Sequence, residues 1–289
     1  MAAGEATPRR VYSAAAVDMF QAIILGIVQG LTEFLPISSS AHLRIVPAFA
    51  GWDDPGAGFT AVVQLGTMLA EVIYFRRDLW RIGTRWSASL RNPALRDQLD
   101  ARMGWYLIWA TIPIGVLGLL FQDSIETTFR ALGLIACTLI VLGLVLLWAD
   151  RRATRHRPIT DLQLRDGLVM GAAQTLALVP GVSRSGATLT AGLLLGLERA
   201  AAARFSFLLS IPAVVLSGLY QAYELIVGKT PGDAGAGEIV VATILAFVTG
   251  YAAIAFFLRY LVTHSLSAFV IYRVGLGSLI LVLLAAGLL

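Results

Sequence analysis

The chain has 289 residues, 57% of them hydrophobic and only 14% charged. With a mean hydropathy of +0.77, that composition excludes an ordinary soluble domain and points to an integral membrane protein of roughly six to eight spans. The net charge of +4 is almost all arginine, with Lys229 the only lysine, so it reports orientation and lipid headgroups and argues against nucleic acid as a partner.

Residues 1–12 read as a polar tail carrying Arg9 and Arg10. The apolar run from Val11 contains Asp18 and Gln21, so it reads as mature structure rather than a signal peptide. A helix then runs to about Leu35 with Asp18, Gln21, Gln29 and Glu33 on it, too polar to face lipid all round. Pro36 breaks it. Ser38, Ser39 and Ser40 suit the start of a second, shorter helix through Ala50, and the two pieces read as a re-entrant hairpin. A Gly/Pro/Asp loop at 52–58 precedes a span at 59–75, which Arg76-Arg77-Asp78 ends. Residues 76–102 are the longest polar stretch, with seven arginines against three aspartates. Spans at about 104–121 and 131–149 follow, joined by a mildly acidic connector at 122–130. Cys137, the single cysteine, lies inside the second of these; it excludes an internal disulfide and a cysteine-based metal cage. Residues 150–165 are basic again. A second hairpin covers roughly 166–197, and spans at about 204–226, 238–259 and 267–288 complete an all-α polytopic protein.

The chain repeats itself. Gly167-Leu-Val-Met-Gly171-Ala-Ala-Gln174 echoes Gly26-Ile-Val-Gln-Gly30-Leu-Thr-Glu33, and each runs into a break rich in hydroxyls. The segment from Phe59 through Gln64 holds the place in the first copy that the segment from Phe205 through Ser210 holds in the second. One membrane domain over 1–289 is therefore expected, with repeats at about 13–150 and 160–289, each a re-entrant hairpin plus three spans. The two basic loops should share the cytoplasmic side, which sets the connector at 122–130 and the loop at 229–237 outside. Three spans then separate the hairpins, an odd number, so the repeats are inverted and meet near the midplane. Arg9 and Arg10 fall outside, against the rule.

Chemistry gathers at the breaks. Gln29 and Glu33 are four apart and share a helix face, while Thr60, Gln64, Thr67 and Glu71 form a polar stripe along the third helix. Such a stripe serves hydrogen bonding between helices, but a buried carboxylate is costlier, which favours Glu33 as a site residue and leaves Glu71 as a partner for arginine. Ser38, Ser39 and Ser40 precede one short helix; Ser183, Arg184 and Ser185 precede the other, with Thr188 one turn in. Two helix N-termini and one planar guanidinium describe a phosphate or diphosphate pocket. His42 lies one turn after Ser39, close enough by spacing to act on its hydroxyl. His156 and His264 read as solvated, and Arg44 has no evident role.

Two stretches carry a resemblance: Gln29-Gly-Leu-Thr-Glu33-Phe-Leu-Pro-Ile-Ser-Ser-Ser-Ala-His42 and Pro180-Gly-Val-Ser-Arg-Ser-Gly-Ala-Thr188. Together they make the chain similar to the undecaprenyl-diphosphate phosphatase family, the bacterial membrane enzymes linked to bacitracin resistance. The family has Glu or Gln at the first position of the first motif, and here it is Gln29. The resemblance implies hydrolysis of undecaprenyl diphosphate to undecaprenyl phosphate and inorganic phosphate, recycling the carrier for cell-wall synthesis. It also implies a multi-pass protein of the bacterial inner membrane, a site opening to the periplasmic or outer side, and a divalent cation, Mg2+ or Ca2+, with Glu33 as its ligand. Expected partners are the polyprenyl diphosphate and membrane lipids, with a homodimer left open. Ser39, His42, Glu33 and Arg184 are the expected catalytic residues; Gln29, Ser38, Ser40, Gln64, Ser183, Ser185 and Thr188 are expected to bind phosphate. The nucleophile stays open between Ser39, a metal-bound water and His42, with Ser39 favoured. A secondary transporter and a lipid-phosphate flippase are the competing readings of inverted repeats with broken helices.

Overall fold

The computed structural model describes residues 17–121, 131–226 and 235–289, and among these it is all-helical, with no strand beyond an isolated bridge between Arg157 and Leu197. The expected tail at 1–12, the connector at 122–130 and most of the loop at 229–237 lie outside the described residues. The first helix, α1 (Met19–Phe34), begins later than the apolar run suggests. The Asp18 side chain accepts the Gln21 amide in a capping box, so the helix starts where its free amides are satisfied. After the first break come α2 (Ser39–Ala50) and α3 (Gly56–Tyr74). The second half mirrors this order with α7 (Leu164–Gln174), a 3-10 turn at Thr175–Leu178, the break, α8 (Arg184–Leu194) and the long α9 (Arg199–Ile226).

The arginine-rich stretch after α3 is a helix where sequence suggests a polar loop. This α4 (Arg76–Arg91) turns 68° from α3 at Phe75. It buries Asp78, Ile82 and Ser89 on one side and exposes Arg77, Trp80, Arg81 and Arg85 on the other. Burial at helical spacing stabilises it despite its charge. Among the described residues, five helices are long and apolar enough to cross a membrane: α5 (Leu99–Leu120), α6 (Leu132–Arg152), α9, α10 (Ala236–Thr263) and α11 (Ser267–Ala285). The stretch expected as a sixth span, α3, qualifies only together with its bent partner α4. Its stripe of Thr60, Gln64, Thr67 and Glu71 spends apolar length on interior contacts.

The two halves interlock. The first helix of each half packs along a span of the other, α1 on α10 and α7 on α5, while α6 and α11 pack together. Small residues permit the close approach. A methyl on Gly26 would sit 2.5 Å from the Ala242 carbonyl oxygen, and one on Gly171 would sit 2.7 Å from Ala110 Cα. Phe207 on α9 is the hub of the interior, with Phe34 edge-on to it at 5.7 Å and Phe75 and Phe257 each 6.1 Å away. At the arginine-rich end, buried aspartates hold helices together: Asp150 takes both ends of the Arg199 fork at 2.6 and 3.0 Å, and Asp166 takes that of Arg157 at 3.2 and 2.6 Å. The Asp166 carboxylate pushes the Arg157 pKa above its usual value, so the guanidinium stays charged at any physiological pH.

Candidate active site

The two breaks share one backbone geometry. Ser38, ahead of α2, has φ 73° and ψ 100°; Ser183, ahead of α8, has φ 69° and ψ 115°. Positive φ at a residue with a Cβ costs on the order of 1–3 kcal/mol and persists only where its surroundings over-determine it. In each break the strained serine meets the serine two residues on, Ser38 Oγ lying 3.2 Å from Ser40 Oγ and Ser183 Oγ 3.1 Å from Ser185 Oγ. Ser183 Oγ also accepts the Gly186 amide at 3.2 Å and so caps α8. Ser38 makes no such cap, which leaves the first amides of α2 free for an anion.

Glu33, in the last turn of α1, receives one group from each break. Ser39 Oγ donates to its Oε2 at 2.5 Å and Arg184 Nη2 donates to its Oε1 at 2.6 Å. Ser39 and Arg184 hold the same position, one residue past the strained serine, so a single carboxylate joins the two halves. Gln29 Nε2, one turn back, donates to Oε2 at 3.0 Å and reaches Thr67 Oγ1 on α3 at 3.4 Å. The Glu33 side chain is 7% exposed and that of Arg184 17%, dry enough for charge-assisted bonds to be strong.

His42 does not meet Ser39. Its Nδ1 lies 2.7 Å from the Ser38 carbonyl oxygen and its Nε2 2.7 Å from the Tyr272 hydroxyl on α11, whose ring stacks on the imidazole. A carbonyl oxygen can only accept, so Nδ1 carries a proton, and in the neutral ring Nε2 accepts from Tyr272. The proton of Ser39 is directed at Glu33.

The remaining expected residues divide. Ser185 Oγ donates to the Leu35 carbonyl at 3.1 Å, tying the second break to the end of α1. Thr188 donates back to the Arg184 carbonyl at 2.9 Å and pairs with Ser206 on α9. Ser40 is exposed beside Ser38. The Gln64 carbonyl accepts from Thr67 Oγ1 at 2.8 Å, while its side chain lines a small cleft with Val214 and Gly218. Glu71, expected to partner arginine, is buried, accepts from Ser210 Oγ at 2.5 Å and lies within electrostatic range of Arg184 and Glu33. Its four-residue step from Thr67 turns it into the interior, away from the surface arginines. Arg44 finds a role in an ion pair with Asp54 at 3.4 Å.

Arg273 escaped the sequence reading. It is fully buried and donates to five carbonyl oxygens: Leu139 at 3.2 Å and Thr138 at 3.3 Å on α6, Pro36 at 3.1 Å in the first break, and Gly181 at 3.0 Å and Val182 at 3.1 Å in the second. Pro36 and Gly181 correspond, each two residues ahead of a strained serine. The guanidinium is thus a strut between the breaks. The available signal was its position, an ionisable residue inside an apolar span.

Among the described residues no three of His, Cys, Asp and Glu gather to hold a metal. Glu33, the Gln29 amide and the serine hydroxyls form a partial set of hard oxygen donors. Such a set suits a Mg2+-like ion that takes its other ligands from water and a bound diphosphate.

A family model described as bacitracin resistance protein BacA matches residues 22–279. The chain is 56% identical over 271 residues to an undecaprenyl-diphosphatase of Nocardioides sp., covering 94% of this chain and 98% of that protein. It is 55% identical over 273 residues to one of Thermobifida fusca, covering 94% and 92%. To one of Micrococcus luteus it is 54% identical over 269 residues, covering 92% and 97%.

Proposed function

The chain belongs to the bacitracin resistance protein BacA family, and on that premise we infer that it removes the terminal phosphate of undecaprenyl diphosphate, returning undecaprenyl phosphate to cell-wall synthesis. The observation that carries the mechanism is the convergence of Ser39 and Arg184 on Glu33. In this reading the terminal phosphate enters between Arg184 and Glu33 and takes over the guanidinium fork. Ser39 Oγ attacks the phosphorus, and its proton passes to Glu33 Oε2. The bond to the bridging oxygen breaks, with its electron pair leaving on undecaprenyl phosphate. Water then adds its hydroxyl to the phosphoserine, Ser39 recovers the proton from Glu33, and inorganic phosphate departs as the second water proton is released.

His42 holds the start of α2 through the Ser38 carbonyl, and both its nitrogens are engaged, which favours Ser39 over the imidazole as nucleophile. Gln29 fixes the carboxylate at 3.0 Å, and the Ser38–Ser40 and Ser183–Ser185 pairs brace the two breaks that meet at it. A Mg2+ or Ca2+ ion, when bound, would neutralise charge on the diphosphate, with Glu33 and Gln29 as its protein donors. Since Glu33 is one carboxylate and already paired with Arg184, such an ion would draw most of its ligands from the diphosphate and water.

The same reading takes the two halves as inverted repeats in the bacterial inner membrane, with the site opening to the outer side. The hairpin openings support it. Phe20 and Trp52, at the two ends of the first hairpin, are in ring contact, and Met19 lies 3.9 Å from the position of a methyl on Gly237, near the start of α10. The second hairpin opens near the far end of α10: Arg157 holds the Leu195 carbonyl at 2.9 Å, and the Leu266 amide bonds Asp150. Phosphate release from a polyprenyl diphosphate by the purified protein in detergent tests the function. No gradient or bilayer exists there, so release supports hydrolysis, and its absence leaves a transporter or flippase as the better account.

A further inference from the structure

Away from Glu33, an open cleft of about 610 Å3 lies where α3 turns into α4. Arg76, Arg77, Arg81, Arg204 and Arg259 line it against one carboxylate, Asp78. Asp78 is already shared: Arg204 Nη2 holds it at 2.7 and 2.8 Å, and Arg81, which also reaches Asp100, holds it at 3.3 Å. Arg76 donates to the Ile73 carbonyl at 2.9 Å. Arg77 and Arg259 are exposed and have no carboxylate partner among the described residues. The cleft therefore carries cationic forks that no carboxylate among the described residues neutralises.

Its depth follows from α4. A helix that bends 68° away from α3 and exposes Arg77, Trp80 and Arg81 has the composition of one lying in the membrane interface. Tyr74 and Tyr251 also line the cleft, their rings edge-on at 5.3 Å, and tyrosine favours that same boundary. Thr67 marks the level of the catalytic centre on α3. Tyr74, which ends α3 and lines the cleft, is seven residues further on, roughly 10 Å along the helix axis at about 1.5 Å per residue. The cleft is thus separate from the catalytic centre and level with lipid headgroups.

We propose that this cleft binds the phosphate of an anionic phospholipid headgroup in the leaflet at the arginine-rich end. Planar guanidinium forks match phosphate oxygens in pairs, and basic pockets between membrane helices bind such headgroups. Free phosphate has the same oxygens but leaves the tyrosines and the interfacial depth unused.

The test is the melting temperature of detergent-purified protein titrated with short-chain phosphatidylglycerol, phosphatidylcholine or inorganic phosphate. Phosphatidylglycerol should raise it saturably and phosphatidylcholine should not. In R77Q/R259Q the apparent affinity for phosphatidylglycerol should fall about fivefold for each arginine removed, while phosphate release in detergent stays at the wild-type rate. Inorganic phosphate reproducing the whole shift at similar concentration, and losing it in R77Q/R259Q, would reassign the cleft to the free ion and overturn the lipid proposal. A phosphatidylglycerol shift that survives R77Q/R259Q unchanged would overturn the site itself. Should that variant fail to match the wild-type size-exclusion profile, the single variants R77Q and R259Q replace it. Each should lower the affinity about fivefold, so unchanged affinity in both counts equally against the site.

Discussion

At Glu33 one carboxylate oxygen receives a serine and the other an arginine, and each bond makes its own demand. Arg184→Lys keeps the charge but cannot span carboxylate and phosphate with one rigid fork. Its turnover in a phosphate-release assay should fall about a hundredfold or more, and a near-normal rate would remove Arg184 from the site. Ser39→Ala deletes the hydroxyl aimed at Glu33 and should lose about a thousandfold or more in turnover. Ser38→Ala and Ser40→Ala, whose hydroxyls face each other, should lose far less. If Ser39→Ala only raises the KM, the serine binds and a water attacks. Spacing along one helix made Gln29 and Glu33 legible as a pair. It could not show that Ser39 belongs to Glu33, because that bond crosses the break, nor that His42 belongs to Tyr272, 230 residues away.

The breaks themselves were the most readable elements, since proline, glycine and clustered hydroxyls cannot continue an apolar helix. The least readable was α4, whose seven-arginine neighbourhood reads as solvent loop until Asp78 and Ile82 are seen to face inward. The sequence echo between α1 and α7 also has a quiet member. Gln174 stands where Glu33 stands in the other half, is fully buried, and neither side-chain oxygen nor nitrogen has a hydrogen-bond partner among the described residues. The second break thus keeps the shape of the first without its carboxylate. A buried amide left unpaired costs about 1–3 kcal/mol. Gln174→Met should therefore raise the melting temperature, by a few degrees, with turnover unchanged; a lower melting temperature would mean that the amide is satisfied in the membrane-embedded protein.

Across the whole molecule, opposed hairpins make a claim that labelling can check. Cysteines at Gly83 and Thr154 should react with an impermeant reagent only from the cytoplasmic side, and one at Gly235 only from outside. Labelling of Thr154 and Gly235 from the same face would end the inverted arrangement. The strut formed by Arg273 has a consequence in time as well as in space. Translation delivers both breaks long before α11, so during synthesis the carbonyls of Pro36, Gly181 and Val182 await a donor that has not yet been made. Ser38 and Ser183 then keep only their local hydroxyl contacts and lack the clamp that ties one break to the other. The newborn chain should therefore be inserted but idle until α11 brings Arg273 to both breaks. A chain stopped after His264 should reach the membrane and release no phosphate, and co-expressing α11 as a separate segment should restore release. Activity in the truncated chain alone would show that the breaks hold their shape unaided.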